Sequence, residues 1–319
     1  MSKAVVLVTS MQLSGPAQQI LRDAGLEIAF VPEPATEDSA ILALAQAKPA
    51  AVLMRGNPPF SRRVIESAPQ LRIIAKHGAG VDSVDVQAAS QCGVAVMTAG
   101  AANADAVAEL ALALMLALSR ELPRLDRGVK SGAWERPQYQ GREFRDRLVG
   151  IVGFGQIGRR VARLAAAFGA KVVIHSRTAI VEAGGAEVEP SLEALLRRAD
   201  IVSLHCPLTP ETRGMIGEAQ LRSMPSGALL INTARGALVD ESALSDVLRS
   251  GHLGGAGLDT FAAEPPDPKH ALLALDNVIC TPHVAGATKG SLLRVGTMAA
   301  TNIVRHLRGG TPEPGNLVG

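Results

Sequence analysis

The 319-residue chain is poor in aromatic side chains, which make up 3% of it. One Trp, one Tyr and six Phe are too few to build a surface on which the bases of a single strand could stack. An excess of one charge sign is also lacking, because 32 Lys and Arg are balanced by 30 Asp and Glu. Nucleic acids and other polyanions are therefore not expected as partners.

Cysteine is scarce, and no long apolar run is present. Cys92, Cys206 and Cys280 do not have metal-ligand spacing, so no metal is expected. They also show no disulfide framework. The most apolar stretch, residues 106–119, is too short to cross a bilayer and contains Glu109. The N-terminus, "MSKAVVLVTS", reads as a first strand and not as a signal peptide. A cytoplasmic protein that does not enter membranes is the expectation.

Short apolar runs alternate with helical patterns twice along the chain. The pattern is interrupted by a long Ala/Leu helix at about 103–120 and resumes with six strand candidates, of which "LVGIVGF" is the first. Near-continuous apolar strands are typical of parallel sheets that are buried on both faces. The sequence predicts two α/β domains of Rossmann-like or flavodoxin-like type. Residues 99–285 form one of them, inserted into a domain made of residues 1–98 and 286–319.

A glycine pattern opens the second domain. Gly153, Gly155 and Gly158 form G-x-G-x-x-G between a strand and an amphipathic helix, the context in which this pattern indicates dinucleotide binding. The first glycine permits a tight turn, the second lets a pyrophosphate approach the backbone, and the third lets helix and strand pack closely. The helix N-terminus adds free N–H groups. The alternative is a glycine-rich turn that binds nothing.

The next strand ends in Ser176-Arg177-Thr178, where such domains usually carry an acid. Ser176 lies 18 residues after Gly158, close to the spacing of about 20 expected for the acid that holds a ribose. Without the acid, nothing repels a 2′-phosphate, and Arg177 with the two hydroxyls could bind one. NADP(H) is therefore favoured over NAD(H). The alternative is that Arg177 is a solvated surface residue.

Three further polar residues follow predicted strands at the same edge of the sheet. Arg235 lies in "NTARG", Glu264 in "AAEPP" and His283 in "TPH". Taken singly, each could be a surface cation, a cap or a core histidine. Together they suit reduction of a 2-oxo acid, with Arg as carboxylate clamp, His as proton donor and Glu as the partner of the protonated imidazole.

The order of the motifs resembles the D-2-hydroxyacid dehydrogenases over nearly the whole chain. The matching stretches are "KHGAGVDSVD", "NADAVAELALALMLALSR", "GIVGFGQIGRRVA", "ADIVSLHCPLTPETRGMI", "MPSGALLINTARGALVDESAL", "GAGLDTFAAEPP" and "NVICTPHVAG". The resemblance implies that Arg235, Glu264 and His283 are catalytic, that residues 99–285 bind the dinucleotide, and that the other domain binds substrate. It also implies a homodimer with a cleft that closes between two domains.

Further contacts are implied by the resemblance. Those to the cofactor are Gln156 and Ile157 at the pyrophosphate, Cys206, Pro207 and Thr212 on the adenosine side, and Thr233, Ala234 and Asp259 at the nicotinamide end. Those to the substrate are Ala79 and Gly80, through backbone N–H groups, and Arg55. Lys76 and His77 could also face the cleft.

A small 2-oxo acid such as hydroxypyruvate or glyoxylate is the leading substrate. A phosphoglycerate dehydrogenase-like enzyme is the first alternative, because Arg55 stands near the Arg that meets the substrate phosphate in those enzymes. The second alternative is an NAD(H)-sensing corepressor, because those proteins resemble the same family and retain a similar trio.

Overall fold

The computed structural model describes residues 4–134, 136–137, 139–313 and 315–318. The strands, numbered in chain order, are β1 (Val5–Val8), β2 (Glu27–Phe30), β3 (Ala51–Met54), β4 (Ile73–Lys76), β5 (Ala95–Met97), β6 (Leu148–Val152), β7 (Lys171–His175), β8 (Glu187–Val188), β9 (Ile201–Leu204), β10 (Leu229–Asn232), β11 (Gly255–Leu258), β12 (Val278–Cys280) and β13 (Leu317–Val318). The α-helices are α1 (Gly15–Asp23), α2 (Glu37–Ala47), α3 (Arg62–Glu66), α4 (Val86–Gln91), α5 (Ala104–Ser119), α6 (Leu122–Lys130), α7 (Gln156–Ala167), α8 (Leu192–Arg198), α9 (Glu218–Ser223), α10 (Glu241–Arg249) and α11 (Lys289–Leu307). Two short 3₁₀ helices span Gly236–Leu238 and Ala271–Ala274.

Local sequence accounts for most of these elements. Every residue of β3, β9 and β10 is buried, as expected for apolar strands covered on both faces. Side chains cap several helices: the Asp240 carboxylate, for example, accepts hydrogen bonds from the N–H groups of Ser242 and Ala243 at the start of α10. The predicted α/β fold class is confirmed.

The chain divides into two compact units, Met1–Asn103 with Gly286–Gly319, and Ala104–Ala285. The sequence places the first boundary a few residues earlier, after residue 98. The segment from Ala99 stays with the first unit because the Ala99 N–H donates to the Gly78 carbonyl at 2.9 Å. In the second unit, α5 packs against α7 and covers β10 and β11.

The sheet of the first unit has the order β13-β5-β4-β3-β1-β2. All its pairings are parallel except that between β13 and β5. Arg55 and His77 follow directly after β3 and β4, so they lie at the carboxyl edge of this sheet.

The sheet of the second unit is fully parallel, with the order β12-β11-β10-β9-β6-β7-β8. From β6 the chain moves outward through β7 and β8, then returns to place β9 on the other side of β6. The loops after β6 and β9 therefore flank the point where strand order reverses, which is where open parallel sheets bind their ligands.

Two apolar cores cover the faces of this second sheet. One contains buried residues of α5 and α7 such as Leu114 and Val161, and the other contains residues of α8 and α10 such as Leu195 and Leu244. Among the residues described, no helix is both long and apolar enough to cross a membrane.

Candidate functional site

The loop after β6 has the geometry that its glycines predict. Gly153 has a φ of 95°, and a Cβ there would lie 2.6 Å from the backbone nitrogen of Cys206, beyond the end of β9. A Cβ on Gly158 would lie 2.1 Å from the Gly153 carbonyl oxygen, so only glycine lets α7 approach the turn. A Cβ on Gly155 would meet nothing within 4 Å. The backbone of Gly155 is thus open to a ligand at the N-terminus of α7.

Gln156 and Ile157 are the first two residues of α7, and no side chain caps this helix. Its first N–H groups have no partners within the helix and carry the positive end of its dipole. The Gln156 side-chain oxygen accepts a hydrogen bond from Arg160 Nη1 at 2.9 Å, which turns it along the helix. The combination is suited to binding a phosphate group.

The tip of β7 presents two hydroxyls and a guanidinium. Ser176 Oγ and Thr178 Oγ1 lie 3.0 Å apart, and the Arg177 side chain is 67% exposed. Arg177 Nη1 also lies 3.7 Å from Oε2 of Glu211, a residue that the sequence did not single out although it lies in the "PLTPETRG" stretch. The Thr209 hydroxyl, and to a lesser extent Arg177, holds the pKa of Glu211 below its ordinary value. A 2′-phosphate would therefore compete with Glu211 for Arg177.

The loop after β9 carries three of the predicted adenosine-side residues. The Thr212 hydroxyl donates to the Pro207 carbonyl at 2.8 Å and accepts from the Thr209 N–H at 2.7 Å, which closes the loop on itself. Cys206 Sγ lies 3.8 Å from Met215 Sδ. Burial raises the pKa of the Cys206 thiol to about 11, so the thiol is uncharged at neutral pH.

His205, which the sequence did not single out, lies beside the glycine loop. Its Nε2 is 2.8 Å from Ser203 Oγ, and burial lowers the pKa of the ring to about 3. Nδ1 is buried and has no partner within the described chain. The backbone of His205 lies against Gly153. The uncharged imidazole of His205 therefore lies near the point where the strand order of the sheet reverses.

Arg235 follows β10 on a turn that Asn232 organises. Asn232 is 1% exposed; its Oδ1 accepts from the Ala234 N–H at 3.0 Å, and its Nδ2 donates to the Arg235 carbonyl at 2.8 Å. Arg235 Nη1 donates to the Ala234 carbonyl at 2.6 Å. The Thr233 hydroxyl is buried without a partner in the described residues. This turn thus holds an arginine beside an unsatisfied hydroxyl.

Glu264 and His283 form a hydrogen-bonded pair. His283 Nδ1 and Glu264 Oε2 are 2.7 Å apart, and Glu264 Oε1 accepts the Phe261 N–H at 3.0 Å. A carboxylate only accepts, so the ring donates through Nδ1 and leaves Nε2 for a substrate. The two side chains are 51% and 38% exposed, within reach of solvent and small ligands.

Asp259 secures the loop that carries the histidine. Its carboxylate accepts from the Thr281 hydroxyl at 2.6 Å and from the N–H groups of Val284 and Ala285, both at 2.9 Å. The His283 N–H donates to the Asp259 carbonyl at 2.8 Å. Asp259 is 1% exposed, and its predicted contact with the nicotinamide stays a prediction.

β10, β11 and β12 are neighbours in register, so the loops that follow them meet at one edge. Arg235, Glu264 and His283 therefore come from three adjacent strands of the second unit. The open glycine loop and the unsatisfied hydroxyl of Thr233 fit a dinucleotide there. Within the described residues, no group of three or more His, Cys, Asp or Glu could hold a metal ion.

The predicted substrate residues Arg55, Ala79 and Gly80 belong to the first unit. The Arg55 guanidinium donates to the Gln12 carbonyl, and the Thr9 hydroxyl exchanges hydrogen bonds with the Arg55 backbone. Ala79 is exposed and Gly80 half-buried in the loop after β4. Their roles toward a substrate stay predictions.

Residues 112–285 match the model of the D-isomer specific 2-hydroxyacid dehydrogenase NAD-binding domain. The chain belongs to this family. It is 43% identical over 265 residues to a glyoxylate reductase of Aeropyrum pernix, covering 80% of this chain and 78% of that protein. It is 38% identical over 263 residues to a D-3-phosphoglycerate dehydrogenase of Archaeoglobus fulgidus, covering 81% of this chain and 50% of that one.

The chain spans about half the length of the phosphoglycerate dehydrogenases that it matches. A crystal structure of a Thermus thermophilus protein superposes with a TM-score of 0.89 at 38% identity, covering 99% of this chain and 100% of the other. The family relation thus holds for sequence and for fold.

Proposed function

We propose that the protein is an NAD(P)-dependent D-2-hydroxyacid dehydrogenase that reduces a small 2-oxo acid of the hydroxypyruvate or glyoxylate type. The observation that carries this proposal is the Glu264–His283 pair at 2.7 Å, on the loops beside the Arg235 turn. A carboxylate that accepts the Nδ1 proton stabilises the imidazolium and directs Nε2 outward, as a general acid requires.

Each residue of the trio has one role in this proposal. Arg235 binds the substrate carboxylate with its fork of donors. His283 gives its proton to the carbonyl oxygen as that oxygen gains negative charge, and Glu264 holds the ring in place. When bound, the reduced nicotinamide supplies the hydride to the carbonyl carbon. The glycine loop, Thr233 and the loop after β9 hold the dinucleotide.

NADP(H) is the proposed cofactor. Support comes from the Ser176 and Thr178 hydroxyls, the largely exposed Arg177 and the lack of an acid at the tip of β7. Glu211 limits the preference, because its carboxylate competes for Arg177.

The test is oxidation of NADPH and NADH with a panel of 2-oxo acids, including hydroxypyruvate, glyoxylate and phosphorylated hydroxypyruvate. Turnover of roughly 1 per second or faster with a small acid is expected. Preference for the phosphorylated acid would favour the phosphoglycerate dehydrogenase-like alternative, to which the 38% identity with the Archaeoglobus fulgidus protein lends weight. Tight cofactor binding without turnover of any acid would favour the NAD(H)-sensing alternative.

A homodimer is also part of the proposal. No residue of α6 is buried, and Leu122, Val129 and the following Trp134 are 53%, 57% and 73% exposed. Exposed apolar side chains grouped in this way favour association. Light scattering should give twice the 33.1 kDa chain mass, and a monomer at micromolar concentration would contradict it.

A further inference from the structure

The turn that carries Arg235 and the loop that carries Glu264 meet at a single peptide. A Cβ on Gly236 would lie 1.9 Å from the carbonyl carbon of Phe261 and 2.2 Å from the nitrogen of Ala262. Gly236 therefore packs directly against the Phe261–Ala262 peptide. Any shift of this peptide moves the supports of both functional side chains.

The N–H groups of Phe261 and Ala262 bind two different carboxylates. The Phe261 N–H donates to Glu264 Oε1 at 3.0 Å, and the Ala262 N–H donates to Glu241 Oε1 at 2.7 Å. Glu241 is the first residue of α10, so it anchors the loop to a helix that the Asp240 cap fixes. The hydrogen bond from the Phe261 N–H positions Glu264. The hydrogen bond from the Ala262 N–H to Glu241 holds Phe261 in the place from which it can make that contact.

His270 in turn holds Glu241. His270 Nε2 lies 3.1 Å from Glu241 Oε2, and His270 Nδ1 accepts the Leu272 N–H at 3.4 Å. An Nδ1 that accepts leaves the proton on Nε2, which donates to the carboxylate. The His270 ring also meets the Phe261 ring edge-on at 6.0 Å. The side chains of His270 and Glu241 are 24% and 15% exposed, so the pair is well shielded.

We propose that Glu241 and His270 are positioning residues that hold Glu264 against His283 through the Phe261–Ala262 peptide. This inference rests on the proposed function of the trio. Neither residue touches the reacting atoms; both act by fixing the carboxylate that orients the general acid. A side chain that served folding alone would not control the Glu264–His283 hydrogen bond.

The variants are Glu241→Ala, Glu241→Gln and His270→Ala, each made with Glu264 intact and with Glu264→Gln. Glu218→Ala is the matched control, because Glu218 also begins a helix but pairs at 2.8 Å with Arg222 of that same helix, whereas Glu241 binds the Ala262 N–H. The readouts are kcat, KM, cofactor affinity, and the NMR signal of the His283 Nδ1 proton in ¹⁵N-histidine-labelled protein.

Glu241→Ala should lower kcat about tenfold, the effect of losing one hydrogen bond to a charged group, with cofactor affinity unchanged. The His283 Nδ1 proton signal should broaden through faster exchange with water. Glu241→Gln should have an intermediate effect, because its amide oxygen still accepts the Ala262 N–H while its amide NH2 cannot accept from His270 Nε2. In the Glu264→Gln background, Glu241→Ala should add little, since the residue through which it acts is already changed.

Wild-type kcat and an unchanged Nδ1 signal in folded Glu241→Ala would overturn the proposal. If Glu241→Ala lowered kcat by the same factor in the wild-type and Glu264→Gln backgrounds, the proposal would also be overturned, because the effect would then not act through Glu264. If Glu241→Ala does not fold, His270→Ala carries the same tests. The NMR readout needs no turnover, so a wild type without activity but with a signal that depends on Glu241 would contradict only the proposed function.

Discussion

His283 occupies a backbone conformation that few residues with a Cβ adopt. Its φ is 53°, in the left-handed region. Such strain persists only where surrounding contacts enforce it, and it is frequent at functional sites. Here Asp259 supplies those contacts, by binding the residues on both sides of His283. The conformation directs the ring to Glu264, which suits the proposed general acid.

Replacing His283 by Asn should leave folding and cofactor binding intact and lower kcat by about a hundredfold or more, because the proton donor is lost. Steady-state kinetics with a purified, folded variant is the measurement. Asn is smaller but polar, and the His283 side chain is 51% exposed, so packing changes little. Near-wild-type activity would remove His283 from the mechanism.

Arg235→Lys tests the carboxylate clamp. An ammonium cannot match the planar fork of a guanidinium, so KM for the 2-oxo acid should rise and kcat should fall. The dissociation constant of the cofactor, measured by fluorescence titration, should change little. A comparable loss of cofactor affinity would assign Arg235 to the dinucleotide site instead.

At the level of the element, the proposed preference for NADP(H) rests on the end of β7. A charge-assisted contact with phosphate contributes roughly 1.5–3 kcal/mol, or about ten- to a hundredfold in affinity. Wild type should prefer NADPH by about that factor, and Ser176→Asp with Arg177→Ala should reverse the preference. The double change adds a ribose acceptor and also repels the phosphate. The measurement is kcat/KM for both cofactors at one ionic strength.

Glu211→Gln is the companion variant at the same strand end. Removing the competing carboxylate should strengthen the preference for NADPH by a few-fold, a small factor because both partners are largely exposed. If wild type used both cofactors equally, and neither Glu211→Gln nor the double change at Ser176 and Arg177 altered this, Arg177 would be a solvated surface residue without a role in cofactor selection.

The end of β4 carries a residue that responds to acid. Burial first, and then the charges of Arg55 and Lys76, lower the pKa of His77 from 6.5 to about 4. Between these two values the unfolded chain binds the proton that the folded chain excludes. The free energy of unfolding is therefore unaffected by the titration of His77 above pH 6.5, where the ring is neutral in both states. It decreases as the pH falls toward 4, by roughly 1.4 kcal/mol per pH unit at most.

His77→Gln removes this titration. The free energy of unfolding of wild type relative to His77→Gln should fall as the pH is lowered from 6.5 to 4, as measured by urea denaturation at several pH values. The comparison isolates His77 from His205, because His205 is present in both proteins. A difference that does not vary with pH would contradict the assignment.

At the scale of the molecule, the fold and the placement of Arg235, Glu264 and His283 at neighbouring strand ends could be predicted, because apolar strands and polar strand ends follow local rules. The catalytic roles of the three residues stay predictions. The Ala/Leu helix predicted at about 103–120 is α5, Ala104–Ser119. The two-residue strands β8 and β13 were missed, since so short a segment has no hydrophobic period. Glu211, Glu241 and His270 were missed because their partners lie far along the chain or in another loop, and no local pattern indicates such pairs.

The two units account for different parts of the proposal. Residues 104–285 alone contain the glycine loop, the end of β7 and the whole trio. The first unit contains Arg55, Ala79 and Gly80, whose contacts with a substrate are implied by the resemblance and stay predictions. Proton transfer is expected to depend on variants of the second unit.

The stereochemistry of the product tests the central claim most directly. Hydroxypyruvate should be reduced with NADPH by the wild-type protein, and the glycerate formed should be resolved by chiral chromatography. Transfer of the hydride to one face of a carbonyl held by Arg235 and protonated by His283 predicts a single enantiomer, and the D-isomer specificity of the family predicts that it is D-glycerate. Formation of L-glycerate, of a racemic mixture, or of no 2-hydroxy acid from any member of the panel would contradict the account.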